Sequence, residues 1–225
     1  MGTSMDAIAR GGNGSERAVT ASDVTGWRKG DIRWIAMSLM VGMKLPDPVS
    51  ELEVLRPDGS AQRLGHLFGA RPTLCVFLRQ FGCAACAEHT SEILEHLAPM
   101  EETGLGMVLV GCGTPEHARG YAERHRLAGR GVELVTDPSL ALHRRIGLVR
   151  SAWGTMGPRA TVNLLGAMAR GHENSWGQGD FHQHGGTLLT DADRVVWVFH
   201  TSQHLGDRYP VASAVDRALA LFTKK

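Results

Sequence analysis

The stretch Thr73-Leu74-Cys75-Val76-Phe77-Leu78-Arg79-Gln80-Phe81-Gly82-Cys83-Ala84-Ala85-Cys86 decides the fold. Its first six residues form an unbroken apolar run rich in strand-forming side chains, as a strand buried on both faces requires. Gly82 then breaks the pattern and helical spacing takes over. Ile93, Leu94 and Leu97 share one face of a helix that begins at or near Cys83 and ends by Pro99. The two cysteines therefore sit where a buried strand passes into the first turn of a helix. Unpaired backbone N–H groups and the helix dipole favour negative charge there, which lowers the pKa of Cys83. A spacing of three puts both sulfurs on one face, at a separation a disulfide can bridge.

Outward from this stretch the pattern is regular. Residues 51–56 read as a strand, Asp58-Gly59 as a turn, residues 106–111 as a second buried strand and 132–135 as a third. Helices are expected from Thr114 or Pro115 to about Leu127, and near residues 139–145. Residues 156–170 read as an added helix and 171–179 as a polar loop. Residues 187–190 and 194–200 flank Asp191-Ala192-Asp193 as an antiparallel hairpin, and 211–222 form a closing helix. Strand alternating with helix implies an α/β fold with a mixed sheet between two helical layers. Residues 1–24, with Gly11-Gly12-Asn13-Gly14-Ser15, read as a flexible tail, and residues 25–225 as one domain. Ile32, Ile35, Leu39 and Met43 recur at helical spacing, so a short N-terminal helix is expected over residues 31–44.

The chain has 225 residues, is 43% hydrophobic and carries a formal net charge of +1, enough for one large core and no strong field for nucleic acid or an anionic membrane. No apolar run reaches the roughly 18 to 20 residues that span a bilayer. With four cysteines, two of them (Cys75 and Cys112) in or beside apolar strands, the chain is poor material for a disulfide framework. A reducing, cytoplasmic setting is expected.

The C-x-x-C pair has three readings. Redox chemistry uses one cysteine to attack and the other to resolve. A closed zinc site needs a second pair, and none exists at compatible spacing; a purely structural role is the third. Arg79 is either a cation that lowers the Cys83 pKa or a solvated strand-end residue. His182 and His184 alternate at strand spacing, which puts both on one face, where either is an acid or base candidate if that face meets the cysteines. Cys75 and Cys112 read as inert core thiols, and Asp191 and Asp193 as turn residues.

Residues 77–86 together with Gly179-Asp180-Phe181-His182-Gln183-His184-Gly185-Gly186-Thr187-Leu188 resemble the peroxiredoxin-like branch of the alkyl hydroperoxide reductase/thiol-specific antioxidant superfamily, which includes relatives of prostamide/prostaglandin F synthase. The resemblance spans about residues 45–222. It implies a thioredoxin-like three-layer sandwich, Cys83 as the attacking and Cys86 as the resolving cysteine, a peroxide or disulfide substrate, a thioredoxin-type reductant and no bound cofactor or metal. It also places Gly185-Gly186-Thr187 where a thioredoxin has its cis-proline loop, so the segment from Phe181 to Thr187 is expected to face the cysteines. Val76 and Gln80 stand where peroxiredoxins carry the proline and threonine of their peroxide-binding signature. A preference for a bulky organic peroxide follows, with Phe81, Trp153, Gly186 and Thr187 as substrate contacts and Met156 and Leu164 extending an apolar pocket. Alternatives are thiol-disulfide exchange and a non-catalytic, metal-binding thioredoxin-like module; homodimerisation is open.

Overall fold

The computed structural model describes residues 39–222. Five residues of unbroken burial make β3 (Thr73–Phe77) an interior strand of a seven-stranded sheet. In chain order the other strands are β1 (Glu53–Leu55), β2 (Ala61–Arg63), β4 (Gly106–Gly111), β5 (Val132–Thr136), β6 (Gly186–Thr190) and β7 (Val196–Thr201). They lie side by side as β2-β1-β5-β4-β3-β6-β7. β3, β4 and β5 run parallel, while β6 pairs antiparallel with β3 and β7 with β6. Residues 57–59 turn the chain between β1 and β2, whose antiparallel pairing makes a hairpin that the sequence shows only by its first strand.

Alternation along the strands sorts the core into two layers. Leu74 and Val76 of β3, Met107 and Leu109 of β4 and Leu134 of β5 face one side. They meet α2 (Ala84–Glu95), α3 (Leu97–Glu102), α4 (Pro115–Arg124), α7 (Pro158–Ala169) and α8 (Val211–Phe222). Cys75, Phe77, Val108, Val110 and Val135 face the other side, against α1 (Asp47–Ser50), α5 (Ala141–Arg145) and the segment that begins at Leu39. Each such Leu, Val or Phe contributes on the order of 1.5–3 kcal/mol by leaving water, so sheet and helices hold as one body. The three-layer α/β sandwich expected from the sequence is present.

Three local readings are corrected. The long helix starts after Cys83 and ends by Pro99 as expected, but α2 stops at Glu95 and Leu97 belongs to α3, whose first turn holds Pro99, where its missing N–H has no intrahelical partner to lose. The helical insertion is two helices, α6 (Ala152–Met156) and α7, because the extended Gly157 interrupts the ladder and Pro158 starts the second helix. The expected tail over 1–24 and most of the expected helix over 31–44 lie outside the described residues. Within its last part, residues 39–44 form a turn, and Lys44 makes a bridge to Val195.

One glycine holds the site's wall in place. A Cβ on Gly111 would lie 2.1 Å from Cζ of Phe81, which is itself buried against Tyr121. Gly111→Ala is therefore expected to destabilise the fold by about 1–3 kcal/mol. At this size that lowers Tm by roughly 2–4 °C per kcal/mol, read by thermal melting. An unchanged Tm would show that the ring has room to move.

Candidate active site

Cys83 is the N-cap of α2, with extended backbone, and Cys86 lies in the first turn. The Cys86 N–H donates to the Cys83 carbonyl at 3.0 Å, which closes that turn and sets both sulfurs on one side. Both are free thiols. The Cys86 S–H donates to the Cys83 sulfur, and this bond, helped by the Arg79 charge and by the backbone N–H groups of Cys86 and Ala85, outweighs burial and brings Cys83 down to about 6. Cys86 moves the opposite way: holding its proton against Cys83, in a buried place, puts its pKa well above the usual thiol value. The resting pair is one thiolate and one thiol.

Arg79 is the hub of this arrangement. It is buried, 4% exposed, which excludes the solvated reading. Nη1 donates to the Cys83 sulfur at 3.6 Å, and Nη2 donates to Oγ1 of Thr155 at 3.2 Å and to the Phe181 carbonyl at 2.9 Å. Its main chain serves as well. The Arg79 N–H points at the Cys86 sulfur at 3.4 Å, and its carbonyl accepts from the Cys112 thiol at 2.8 Å. Thr155 in turn donates to the Ser151 carbonyl at 2.9 Å and touches Nε2 of His184 at 3.4 Å.

The segment from Asn174 to Thr187 walls the pair. Oδ1 of Asn174 accepts from the Ala84 N–H, the Ser175 N–H donates to the Gly82 carbonyl at 2.8 Å, and the Phe81 N–H donates to the Gln178 carbonyl at 3.1 Å. A Cβ on Gly82 would meet the Ser175 carbonyl at 2.3 Å, so this glycine permits the loop's close approach. Cys83 is consequently 1% exposed rather than open at a helix start. Beyond Cys86 lies a cavity of about 30 Å³, partly open to solvent, lined among others by Ala85, Cys86, His89, Gly186, Thr187 and Arg208.

The sequence-predicted residues divide as follows. Cys83, Cys86 and Arg79 come together, Gly186 and Thr187 line the adjoining cavity, and Phe181 gives its carbonyl to Arg79. The two histidines do not share a face. Residues 181–182 form a turn rather than a strand, so His182 packs edge-on to the Phe181 ring at 5.4 Å while His184 is fully buried, its ring nitrogens 3.1 Å from the Ser202 and Ser151 carbonyls. Burial holds the His184 pKa below its ordinary value. His184 reaches the thiolate only through Thr155 and Arg79. Phe81 is a core side chain. Trp153, 79% exposed, and Met156, 61% exposed, stand on the outside of α6 and enclose no pocket. Cys75 and Cys112 are buried, as expected, and burial pushes Cys112 up to about 12. Among the described residues no three His, Cys, Asp or Glu side chains are grouped to hold a metal. Thr155 and His89 escaped the sequence reading, and no motif marks either.

A model of the AhpC/TSA antioxidant enzyme family matches residues 93–203, which begins inside α2 just after the thiol pair. The human protein Peroxiredoxin-like 2C is 26% identical over 187 residues, covering 77% of this chain and 80% of its own. Thioredoxin-like protein AAED1 of Arabidopsis thaliana, chloroplastic, is 25% identical over 159 residues; these are 71% of this chain, which spans 60% of that longer protein. Among solved structures, peroxidoxin BcpB of Mycobacterium tuberculosis superposes with a TM-score of 0.60 at 14% identity, covering 82% of this chain and 99% of that one. By these matches the chain is similar to peroxiredoxin-like proteins of the thioredoxin fold. The similarity supports an enzyme of the thiol peroxidase or oxidoreductase kind.

Val76 is paired to Thr187 across β3 and β6, and Gln80 is buried with its side-chain oxygen unpartnered. Arg79 and the Cys86 thiol stand around the sulfur that the usual threonine would otherwise serve.

Proposed function

We propose that this protein reduces an organic hydroperoxide through a Cys83/Cys86 dithiol–disulfide cycle. The observation that carries the reading is the hydrogen-bonded pair itself, with Cys83 an anion near neutrality beside Arg79. Cys83 thiolate attacks the terminal peroxide oxygen; an S–O bond forms, the O–O bond breaks and an alkoxide departs. The Cys86 thiol, already aimed at the reacting sulfur, gives the alkoxide its proton. Cys86, now a thiolate, attacks the sulfenic sulfur; the S–S bond forms and hydroxide leaves, to be neutralised to water by a proton from the buffered solvent. A thioredoxin-type dithiol then restores both thiols and is itself oxidised to a disulfide.

Access to Cys83 requires the 174–178 loop to yield, with release of its hydrogen bonds to Phe81, Gly82 and Ala84. Trp153 and Met156, exposed on either side of Thr155, support an apolar tail lying along the outside of α6 while the peroxide end reaches inward. All four cysteines being unpaired thiols fits work in the cytoplasm. The test is consumption of cumene hydroperoxide with thioredoxin, thioredoxin reductase and NADPH, and mapping of the resulting disulfide. Turnover with a Cys83–Cys86 bridge supports the cycle. A bridge reducible by thioredoxin without any peroxide turnover would leave thiol-disulfide exchange instead.

Thr155 fixes the Arg79 fork, so Thr155→Val should raise the pH midpoint of Cys83 alkylation and Thr155→Ser should restore it. His182→Ala should leave that profile unchanged, since the ring touches neither sulfur nor Arg79. A shift in His182→Ala equal to that in Thr155→Val would refute the assignment of Arg79 and Thr155 as the anchoring pair.

A further inference from the structure

α7 is apolar on two faces. Inward it buries Ala160 and Ala167 and packs Leu164 on the core. Outward, Val162, Leu165 and Met168 recur at every third residue and so share one side of the helix, with Val162 68% and Leu165 60% exposed. No charged side chain interrupts the helix between Arg159 and Arg170. A helix that is apolar all round is one covered on both sides, and among the described residues only the inner side of α7 has its cover.

The outer face continues beyond the helix. Trp153 and Met156 of α6 are exposed, and the Trp153 ring comes within 3.7 Å of a Cβ placed on Gly157, so it adjoins the start of α7. Trp176, exposed on the loop over Cys83, stacks on Phe181 at 5.0 Å, and the Phe181 carbonyl accepts from Oγ1 of Thr155 in α6 at 3.4 Å. Six of the nine large apolar side chains that stand exposed among the described residues lie between Trp153 and Trp176. Single exposed apolar side chains are ordinary, whereas a concentration of them marks a binding surface. We propose that this face docks on an anionic phospholipid bilayer and, resting on the peroxidase reading above, presents Cys83 to hydroperoxides carried on the acyl chains of the leaflet.

Charge and side-chain type choose that occupant. From residue 151 to residue 172 there is no Asp or Glu, although the chain holds 23, and Arg159 stands exposed at the start of α7. Arg170, at its end, is held by Glu88 of α2. The formal net charge of +1 averages over this carboxylate-free face, which lipid phosphates meet without repulsion. A second copy of the chain would set the face against itself, and the face has no carboxylate with which to answer Arg159. Tryptophan favours the boundary between acyl chains and headgroups, and two of them stand here around aliphatic side chains that a shallow apolar insertion would bury. One of the two, Trp176, belongs to the loop that must yield before Cys83 is reached, so docking engages the cover of the active site directly.

The test uses sucrose-loaded vesicles of equal parts phosphatidylcholine and phosphatidylglycerol, sedimented with the full-length reduced protein. Wild type should sediment with them, and more weakly with phosphatidylcholine alone. A Val162→Glu, Leu165→Glu double variant should bind at least about tenfold more weakly, with an unchanged Tm because both side chains are exposed. Vesicles doped with a phosphatidylcholine hydroperoxide should be reduced at least about tenfold faster by wild type than by the variant, while both turn over cumene hydroperoxide in solution equally. Absence of wild-type binding, or equal binding by the two proteins, overturns the proposal. Equal binding that is lost on deletion of residues 1–38 would assign the contact to that segment instead. A dimer in analytical ultracentrifugation that the double variant dissociates, without vesicle binding, would assign the face to a second copy. Equal rates on the doped vesicles overturn the acyl-chain substrate. Vesicle binding without turnover of either hydroperoxide would sink the peroxidase reading alone. Turnover of cumene hydroperoxide without vesicle binding would sink this one alone.

Discussion

Replacing Cys83 by serine is expected to abolish peroxide consumption, by at least about a thousandfold, because a hydroxyl at that position stays protonated and the remaining thiols cannot substitute for it. Cys75 and Cys112 are buried, and Cys112 is pushed up to about 12, so neither offers a thiolate near pH 7. Cys86 is reachable but holds its proton far above neutrality. Cys86→Ser behaves differently. A single round of Cys83 oxidation persists there, since the serine hydroxyl can still donate to the Cys83 sulfur, but no resolving thiol follows and a sulfenic acid accumulates. Peroxide consumption under single turnover, with dimedone trapping of the sulfenic acid, distinguishes the two variants. If Cys83→Ser kept its first turnover and Cys86→Ser lost it, the assigned order of the sulfurs would be reversed.

What the sequence disclosed of this site was the part carried by local pattern. The run from Thr73 to Phe77, the break at Gly82 and the helical spacing after it place the cysteines at a strand-to-helix passage, and the structure has that passage with Cys83 as the N-cap. β4 and α8 fall on their expected spans because each is bounded by unambiguous breaks and filled by one period of apolar side chains. The misses are tertiary. A proline closes a helix or begins one, and only the packing of Leu97 and Met100 on the core shows that Pro99 begins one. Trp153 and Met156 are as apolar as pocket residues, yet the five-residue α6 turns Gly154 and Thr155 inward and leaves them outside. A Cβ on Gly154 would meet His184 at 2.3 Å, so it is this packing that aims α6 and brings Thr155 to Arg79. The burial of Cys83 was equally hidden, because its cover comes from residues about ninety positions downstream.

The low pKa of Cys83 should depend first on its partner sulfur, and a Cys86→Ala variant exposes that dependence. In the wild type the midpoint for Cys83 alkylation is expected near pH 6, with the Cys86 S–H as the largest cause and the Arg79 charge behind it. Alanine removes the donor and leaves burial unopposed except by Arg79 and the N–H groups, so the midpoint rises toward the ordinary value of about 9. At pH 7 the thiolate fraction then drops by an order of magnitude or more, and the peroxide rate falls with it. Cys86→Ser keeps a hydroxyl donor and should lie between the two. The sign carries over to stability. A thiol whose pKa is lowered on folding adds stability that is fully present above its unfolded value of about 9 and is lost as pH falls through about 6, because the unfolded chain takes up the proton first. Reduced wild-type protein should therefore lose more stability between pH 9 and pH 6 than Cys86→Ala does, read from denaturant midpoints at each pH. An alkylation midpoint in Cys86→Ala that stayed near 6 would assign the lowered pKa to Arg79 and the helix start alone, and the shared proton would have no part in activating the enzyme.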